Sequence, residues 1–139
     1  MTDRDRQRVE GVHPRLVTII ERVLAIMETA GHPMRVISGV RTTAQQQALY
    51  AQGRTTPGAI VTYLDGVTKR SHHQAHLATG LGHAVDCAFI DNPDTPHNET
   101  WDERQPWELY GVAGETFGLI WGGRWRRPVD KPHLELREP

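Results

Sequence analysis

The C-terminal stretch over residues 130–136 constrains the fold of this chain more than any other segment. It reads Asp-Lys-Pro-His-Leu-Glu-Leu, so an acid and an imidazole lie three residues apart across a proline. Proline fixes the local backbone, and the residues after it are typical of a strand. We therefore expect Asp130 and His133 to direct their side chains into one cleft at the edge of a short strand.

Apolar periodicity predicts a mixture of helices and short strands. Residues 13–29 form an amphipathic pattern, because their apolar side chains recur at helical spacing. The other predicted elements are helices over 43–52 and 106–117, strands over 34–38, 59–63, 84–90, 120–121 and 133–136, and loops over 67–82 and 91–103. Since helices and strands do not alternate regularly, the pattern favours an α+β fold in which a small antiparallel sheet packs with about three helices.

Length, charge and composition bound the class of protein. At 139 residues the chain is expected to be one domain over 1–139, and nothing in it demands more than a monomer. The formal net charge of -1 provides no field that attracts nucleic acid or a membrane surface. Residues 1–10 lack the apolar stretch of a secretory signal, and no apolar run approaches the roughly 20 residues of a membrane span. Cys87, the single cysteine, is interpreted as a small core residue.

Candidate metal ligands are concentrated in two places besides the C-terminal stretch. Four of the eight histidines lie between residues 72 and 83, and residues 82–86 read Gly-His-Ala-Val-Asp. A catalytic zinc ion typically takes three protein ligands and keeps one position open for water. Asp86 and His133 each begin a predicted strand, so both could bind one metal ion in a cleft at the sheet if those strands are neighbours. Asp130 would then be free to act as a base.

Seven short motifs follow one another along most of the chain. They are 38–41 (Ser-Gly-Val-Arg), 47–55 (Gln-Ala-Leu-Tyr-Ala-Gln-Gly-Arg-Thr), 65–67 (Asp-Gly-Val), 71–74 (Ser-His-His-Gln), 82–86, 121–123 (Trp-Gly-Gly) and 130–136. Together they resemble the zinc-dependent L-alanyl-D-glutamate peptidases of bacteriophage endolysins and their bacterial relatives, which are grouped with D-alanyl-D-alanine carboxypeptidases and dipeptidases. Several separated matches in the family's order are far more specific than a lone His-x-x-x-Asp.

The resemblance implies a set of functional residues. Asp86 and His133 would be zinc ligands, and Asp130 the catalytic base. Arg41 would bind a substrate carboxylate, since a guanidinium group offers paired donors to a carboxylate. Ser71 would support the placement of substrate or of a ligand.

The third zinc ligand is where this chain departs from the family pattern. The motif Ser-x-His-x-x-Gly-x-Ala-x-Asp places a histidine seven residues before the aspartate, and that position is Thr79 here. If Ser71 begins the motif, His73 is the ligand and six residues have been inserted between 74 and 82.

Three other histidines of the cluster stay open as that ligand. His76 is the main alternative to His73, and His72 and His83 are weaker ones. His83 lies three residues before Asp86, and on a strand such an odd spacing would point the two side chains to opposite faces. This alternation argues against His83.

The resemblance implies a zinc peptidase that hydrolyses the peptide stems of bacterial peptidoglycan, with the L-Ala–D-Glu bond as the preferred target. Two alternatives remain: a D-Ala–D-Ala carboxypeptidase or dipeptidase, and an inactive, zinc-stabilised binding module. Trp125 lies in an arginine-rich stretch and is a candidate for the wall of the substrate cleft.

The expected setting follows from what the sequence lacks. No separate cell-wall-binding domain is visible, and neither nucleic acid nor membrane insertion is expected. Without a signal segment, the protein is expected to be made in a host cytoplasm and to reach the wall after holin-type release.

Overall fold

The computed structural model describes residues 1–91 and 99–137, and every structural statement below concerns these residues. They form helices α1 (Asp3–Arg8), α2 (Pro14–Thr29), α3 (Thr43–Ala51) and α4 (Trp107–Thr116), a short 3-10 helix (Gly122–Arg124), and strands β1 (Met34–Ser38), β2 (Ala84–Ile90), β3 (Glu99–Thr100), β4 (Ile120–Trp121) and β5 (His133–Glu135). The strands form one antiparallel sheet in the order β1-β2-β5-β4, and β3 pairs with the end of β2. The predicted α+β class is confirmed.

Helix α2 covers one face of the sheet, as its amphipathic pattern predicts. His13 caps the helix by accepting the Arg15 N–H at Nδ1, and Pro14 occupies the first turn, where its missing N–H costs nothing. The buried side chains of α2 are Leu16, Ile20, Val23, Leu24 and Met27. Burying each side chain of this size stabilises the fold by about 1.5–3 kcal/mol, so this face anchors the core.

The two central strands have one apolar face and one polar face. The core side of β2 carries Val85, Cys87 and Phe89. Asp86 lies between them and, by the alternation of a strand, points to the opposite side. β5 alternates in the same way, with Leu134 in the core and His133 opposite. Because the two strands pair with Asp86 directly across from His133, the polar face brings these two side chains together.

The predicted strand over 59–63 is wrong. Its apolar residues are largely exposed, with Val61 at 46% and Tyr63 at 52%, and the segment pairs with no strand of the described sheet. Side chains hold the loop instead: Gln52 donates to the carbonyl of Ala59, and Arg54 donates to the carbonyl of Thr62. Local side-chain hydrogen bonds therefore determine the conformation of this segment, in spite of the strand propensity of its residues.

The N-terminal helix α1 was not predicted, because residues 3–8 carry no apolar stripe. A capping box forms it: Thr2 accepts the backbone N–H of Asp5, whose carboxylate accepts the N–H of Thr2. The buried Asp5 also accepts the backbone N–H of Val36 and so fastens α1 to β1.

β3 lies within the predicted loop over 91–103, whose residues 92–98 fall outside the described ranges. No helix within those ranges has the length and apolar character needed to span a membrane.

Candidate metal centre

Three predicted ligands meet on the polar face of the sheet. One ligand atom from each of His73, Asp86 and His133 lies within 4.8 Å of the others. His73 Nε2 is 3.3 Å from Asp86 Oδ2 and 3.2 Å from His133 Nδ1, which itself is 3.3 Å from Asp86 Oδ1. Both histidines are buried, and the Asp86 side chain is 17% exposed. The three side chains could therefore bind one ion.

The donor set fits a zinc ion. Two imidazoles and one carboxylate are typical ligands of a catalytic zinc site with an open position. Asp86 Oδ1 is buried and has no donor in hydrogen-bond geometry among the described residues. An unsatisfied buried carboxylate oxygen costs free energy, and a cation at this position would remove that cost.

The loop over 71–74 delivers His73 to this site. His73 Nδ1 lies 2.8 Å from the carbonyl oxygen of Gly39, so it carries the proton and leaves Nε2 free to face Asp86. Ser71 Oγ accepts a hydrogen bond from the backbone N–H of His73. The backbone N–H of Arg41 donates to the carbonyl of His73. Ser71 thus supports the loop that carries the candidate ligand.

Two other histidines of the cluster, His76 and His83, lie elsewhere. His76 stacks on His83 with ring centroids 4.6 Å apart, and its Nδ1 accepts the backbone N–H of Ala78. His83 Nε2 lies 2.8 Å from Thr79 Oγ1, and burial together with neighbouring histidines lowers its pKa. The structure therefore brings His73, rather than His76 or His83, to Asp86 and His133.

Asp86 is positioned by a bulge in β1. Pairing runs from Val36 opposite Cys87 to Ser38 opposite Asp86, so β1 contains one extra residue at this point. A bulge of this kind redirects the side chains that follow it. As a result Ser38 Oγ donates to Asp86 Oδ2 over 2.9 Å.

The charges of the cluster act on one another. Burial alone would raise the pKa of Asp86, but His73 and His133 hold it well below its ordinary value. Burial likewise favours a neutral His133, yet the carboxylates of Asp86 and Glu135 raise its pKa to about 10. A cation bound here would take the place of that proton, because metal ligation requires a deprotonated imidazole.

Asp130 lies beside the three candidate ligands, nearer to solvent. Its Oδ2 is 3.8 Å from His133 Nδ1, and its side chain is 38% exposed. Burial and the negative charge of Asp86 raise the pKa of this carboxyl. A carboxyl of raised pKa at an open edge of the site suits general acid–base chemistry.

A cleft of about 740 Å³ opens over the site, and all three predicted substrate-binding residues line it: Arg41, Ser71 and Trp125. The Trp125 ring lies 4.8 Å from the His133 ring, between centroids, and forms a wall of the cleft. Arg41 Nη1 donates to the buried Gln46 Oε1 over 2.7 Å, and its Nη2 is 3.9 Å from Asp86 Oδ2. The guanidinium group is thus held in place where it lines the cleft.

Sequence reasoning missed three residues that support the site: Ser38, Gln46 and Glu135. Glu135 lies two residues after His133 on the same strand, so strand alternation could have placed it on the same face. Gln46 is one of three consecutive glutamines, and nothing in the sequence distinguishes it. Ser38 depends on the bulge, which has no sequence signal here.

Two imidazoles and one carboxylate, with a further carboxyl at the edge of an open cleft, define the centre of a mononuclear zinc hydrolase. The chain belongs to the peptidase family described as D-alanyl-D-alanine carboxypeptidase, whose family model matches residues 65–136. This match covers the loop with His73, both central strands and the C-terminal stretch. Zinc is the cofactor of this family.

Individual relatives agree with this assignment. The peptidoglycan L-alanyl-D-glutamate endopeptidase CwlK of Bacillus subtilis is 31% identical over 126 residues, which cover 90% of this chain and 73% of that protein. The crystal structure of the Serratia marcescens L-Ala D-Glu endopeptidase ChiX matches with a TM-score of 0.62 and 26% identity, over 98% of this chain and 88% of that one.

A third similar protein is a peptidase with a different named activity. The vancomycin resistance D,D-pentapeptidase VanY, solved as an E175A mutant in complex with Zn(II), matches with a TM-score of 0.59 and 18% identity, over 91% of this chain and 73% of that one. At this identity the likeness shows a shared fold.

Proposed function

We propose that this protein is a zinc endopeptidase that hydrolyses the L-Ala–D-Glu bond of peptidoglycan stem peptides. The observation that carries the proposal is the convergence of His73, Asp86 and His133 with Asp130 beside them in a cleft. The similarity to two L-Ala–D-Glu endopeptidases, CwlK and ChiX, supports the choice of bond.

In the proposed mechanism His73, Asp86 and His133 would hold zinc, which would supply a Lewis acid that polarises the scissile carbonyl and makes water a stronger nucleophile. Asp130 Oδ2 accepts a proton from the attacking water and returns it to the nitrogen of the leaving amine. Arg41 binds a carboxylate of the stem peptide with its paired donors, and Gln46 keeps the guanidinium group oriented. Trp125 limits the width of the cleft beside the reacting bond.

The test is digestion of purified peptidoglycan with and without a chelator, followed by mass spectrometry of the released ends. New N-terminal D-Glu (or D-isoglutamine) that disappears with the chelator and returns with zinc is the expected result. No cleavage by a folded, zinc-loaded protein would refute the enzyme and favour a binding module.

The same digestion tests a second candidate, a D-Ala–D-Ala carboxypeptidase. The description of the matching family favours this alternative. Release of free D-Ala without new D-Glu ends would establish it.

We also propose a lytic role of the phage endolysin type, on the resemblance of the seven motifs. The protein would act as a monomer and would reach the wall from the host cytoplasm after holin-type release. Expression in Escherichia coli with and without a holin tests this role. Turbidity should fall only when both are present, and lysis without the holin would contradict the proposed route.

A further inference from the structure

A second carboxylate lies behind His133, on the side away from Asp86. Glu135 Oε1 is 2.8 Å from His133 Nε2, and the Glu135 side chain is only 8% exposed. The two residues are two positions apart on β5, so strand alternation places them on the same face of the sheet. The opposite ring nitrogen, Nδ1, faces His73 and Asp86.

This hydrogen bond determines which nitrogen of His133 can bind a metal. An ionised carboxylate only accepts, so the hydrogen must be on Nε2. The lone pair is then on Nδ1, which faces the other two candidate ligands. Glu135 therefore selects the tautomer and also fixes the rotation of the ring.

The same carboxylate also contacts the loop that carries His73. Glu135 Oε2 pairs with His72 Nδ1, and the His72 side chain is 48% exposed. His72 directly precedes His73 in sequence. One buried carboxylate thus connects the strand of one candidate ligand to the loop of another, and this connection does not involve Asp86.

We propose that Glu135 is a positioning residue of the metal centre, which aims His133 Nδ1 at the ion and fixes the loop of His73 through His72. The inference rests on the proposed zinc function and adds an outer carboxylate to it. Carboxylates behind zinc-bound histidines orient the ring, and their loss typically weakens metal affinity about 10- to 100-fold.

The test compares Glu135→Ala and Glu135→Gln with the wild-type chain. Zinc affinity is measured by competition with a chelator, and ligand geometry by the visible spectrum of the Co(II)-substituted protein. Glu135→Ala should bind zinc about 10- to 100-fold more weakly and show an altered Co(II) spectrum. Glu135→Gln keeps an oxygen that can accept from Nε2, so its affinity should stay within about fivefold. Glu28→Ala, at an exposed position on α2, is the matched control.

Two results would overturn the proposal. One is a folded Glu135→Ala protein with wild-type zinc affinity and an unchanged Co(II) spectrum, since a purely structural glutamate would change only thermal stability. If Glu135→Ala does not fold, Glu135→Asp replaces it in the test, because the shorter aspartate side chain cannot reach His133 Nε2. The second overturning result is a wild-type zinc affinity in Glu135→Asp. Failure of the wild-type chain to bind zinc would instead refute the proposed function itself.

Discussion

Two carboxyl groups in this cleft have opposite electrostatic surroundings. His73 and His133 hold the pKa of Asp86 down against the effect of burial, which suits a permanently ionised ligand. Burial and the charge of Asp86 raise the pKa of Asp130, which suits a group that gains and loses a proton. Environments that separate the pKa values of neighbouring carboxyls commonly distinguish a ligand from an acid–base group.

The first prediction concerns Asp130. Replacing it with asparagine removes the proton acceptor and preserves the side-chain shape, so kcat/KM should fall by about 10²- to 10⁴-fold. Zinc affinity should be nearly unchanged, because Asp130 is not one of the three converging ligands. Stem-peptide kinetics and chelator competition measure the two quantities, with Asp3→Asn at an exposed position of α1 as the control. Full activity in Asp130→Asn would rule out its role as base.

The second prediction concerns Arg41. Lysine keeps the charge but loses the planar fork and the hydrogen bond to Gln46 Oε1. Charge-assisted hydrogen bonds contribute about 1.5–3 kcal/mol, so kcat/KM should fall about 10- to 100-fold, mainly through KM. Steady-state kinetics on a stem tetrapeptide measure this effect, and Arg22→Lys on the exposed side of α2 is the control. An unchanged KM would mean that Arg41 does not bind the substrate carboxylate.

At the scale of elements, the segment over 130–133 is held from several sides. The Asp130 N–H donates to the carbonyl of Gly122, and Trp121 Nε1 donates to the carbonyl of Lys131. The buried Tyr110 hydroxyl donates to the carbonyl of Pro132. The proposed base and one candidate ligand are therefore fixed by contacts from α4, β4 and the 3-10 helix, and the local sequence does not reveal these contacts.

The third prediction tests this support at Gly122. A Cβ there would lie 2.4 Å from the carbonyl oxygen of Asp130 and 3.0 Å from His133 Cβ, so Gly122→Ala must displace the segment. Overpacking of this kind costs about 1–3 kcal/mol of stability. A displacement of about 1 Å can cost about 10²-fold in rate, so activity should fall by that order. Thermal unfolding and stem-peptide kinetics measure the two losses.

Gly31→Ala is the control for that prediction. Gly31 has a φ of +86°, and a Cβ added there would meet no neighbouring atom within 4 Å, so alanine strains the backbone far from the cleft without a clash. This variant should lose stability and keep its activity. Equal activity in both variants would show that Gly122 does not support the site.

The sequence predicted the elements that carry the ligands better than the contacts that orient them. Asp86 lies near the start of β2 and His133 begins β5, and the pairing of these two strands is enough to bring the two side chains together. The support from Ser38 depends on a bulge, and Gln46 on α3 is itself held by donating its side-chain amide to the carbonyl of Leu64 in a separate loop. Both are set by tertiary contacts between distant segments, which a local pattern does not contain.

At the scale of the whole molecule, the hydrophobic core and the candidate metal centre occupy opposite faces of the sheet. Asp86 belongs to the site, while its neighbour Cys87 is fully buried in the core. We therefore expect that removing a metal ion from the polar face leaves the apolar packing of α2 and α4 in place. A catalytic zinc site of this kind differs from a structural one, whose loss unfolds the domain.

Cys87 provides the fourth prediction, as a reporter of the core. Burial raises the pKa of its thiol to about 12, and its side chain is inaccessible. The thiolate is the reactive form, so the folded protein should not react with Ellman's reagent at pH 8, either with zinc or after chelation. In guanidinium chloride the one thiol should react fully.

Zinc at 100 times its Kd should add about 2.7 kcal/mol to the free energy of unfolding, seen as a higher Tm, without changing the protection of the Cys87 thiol. Rapid labelling after chelation alone would show that the ion holds the two faces of the sheet together.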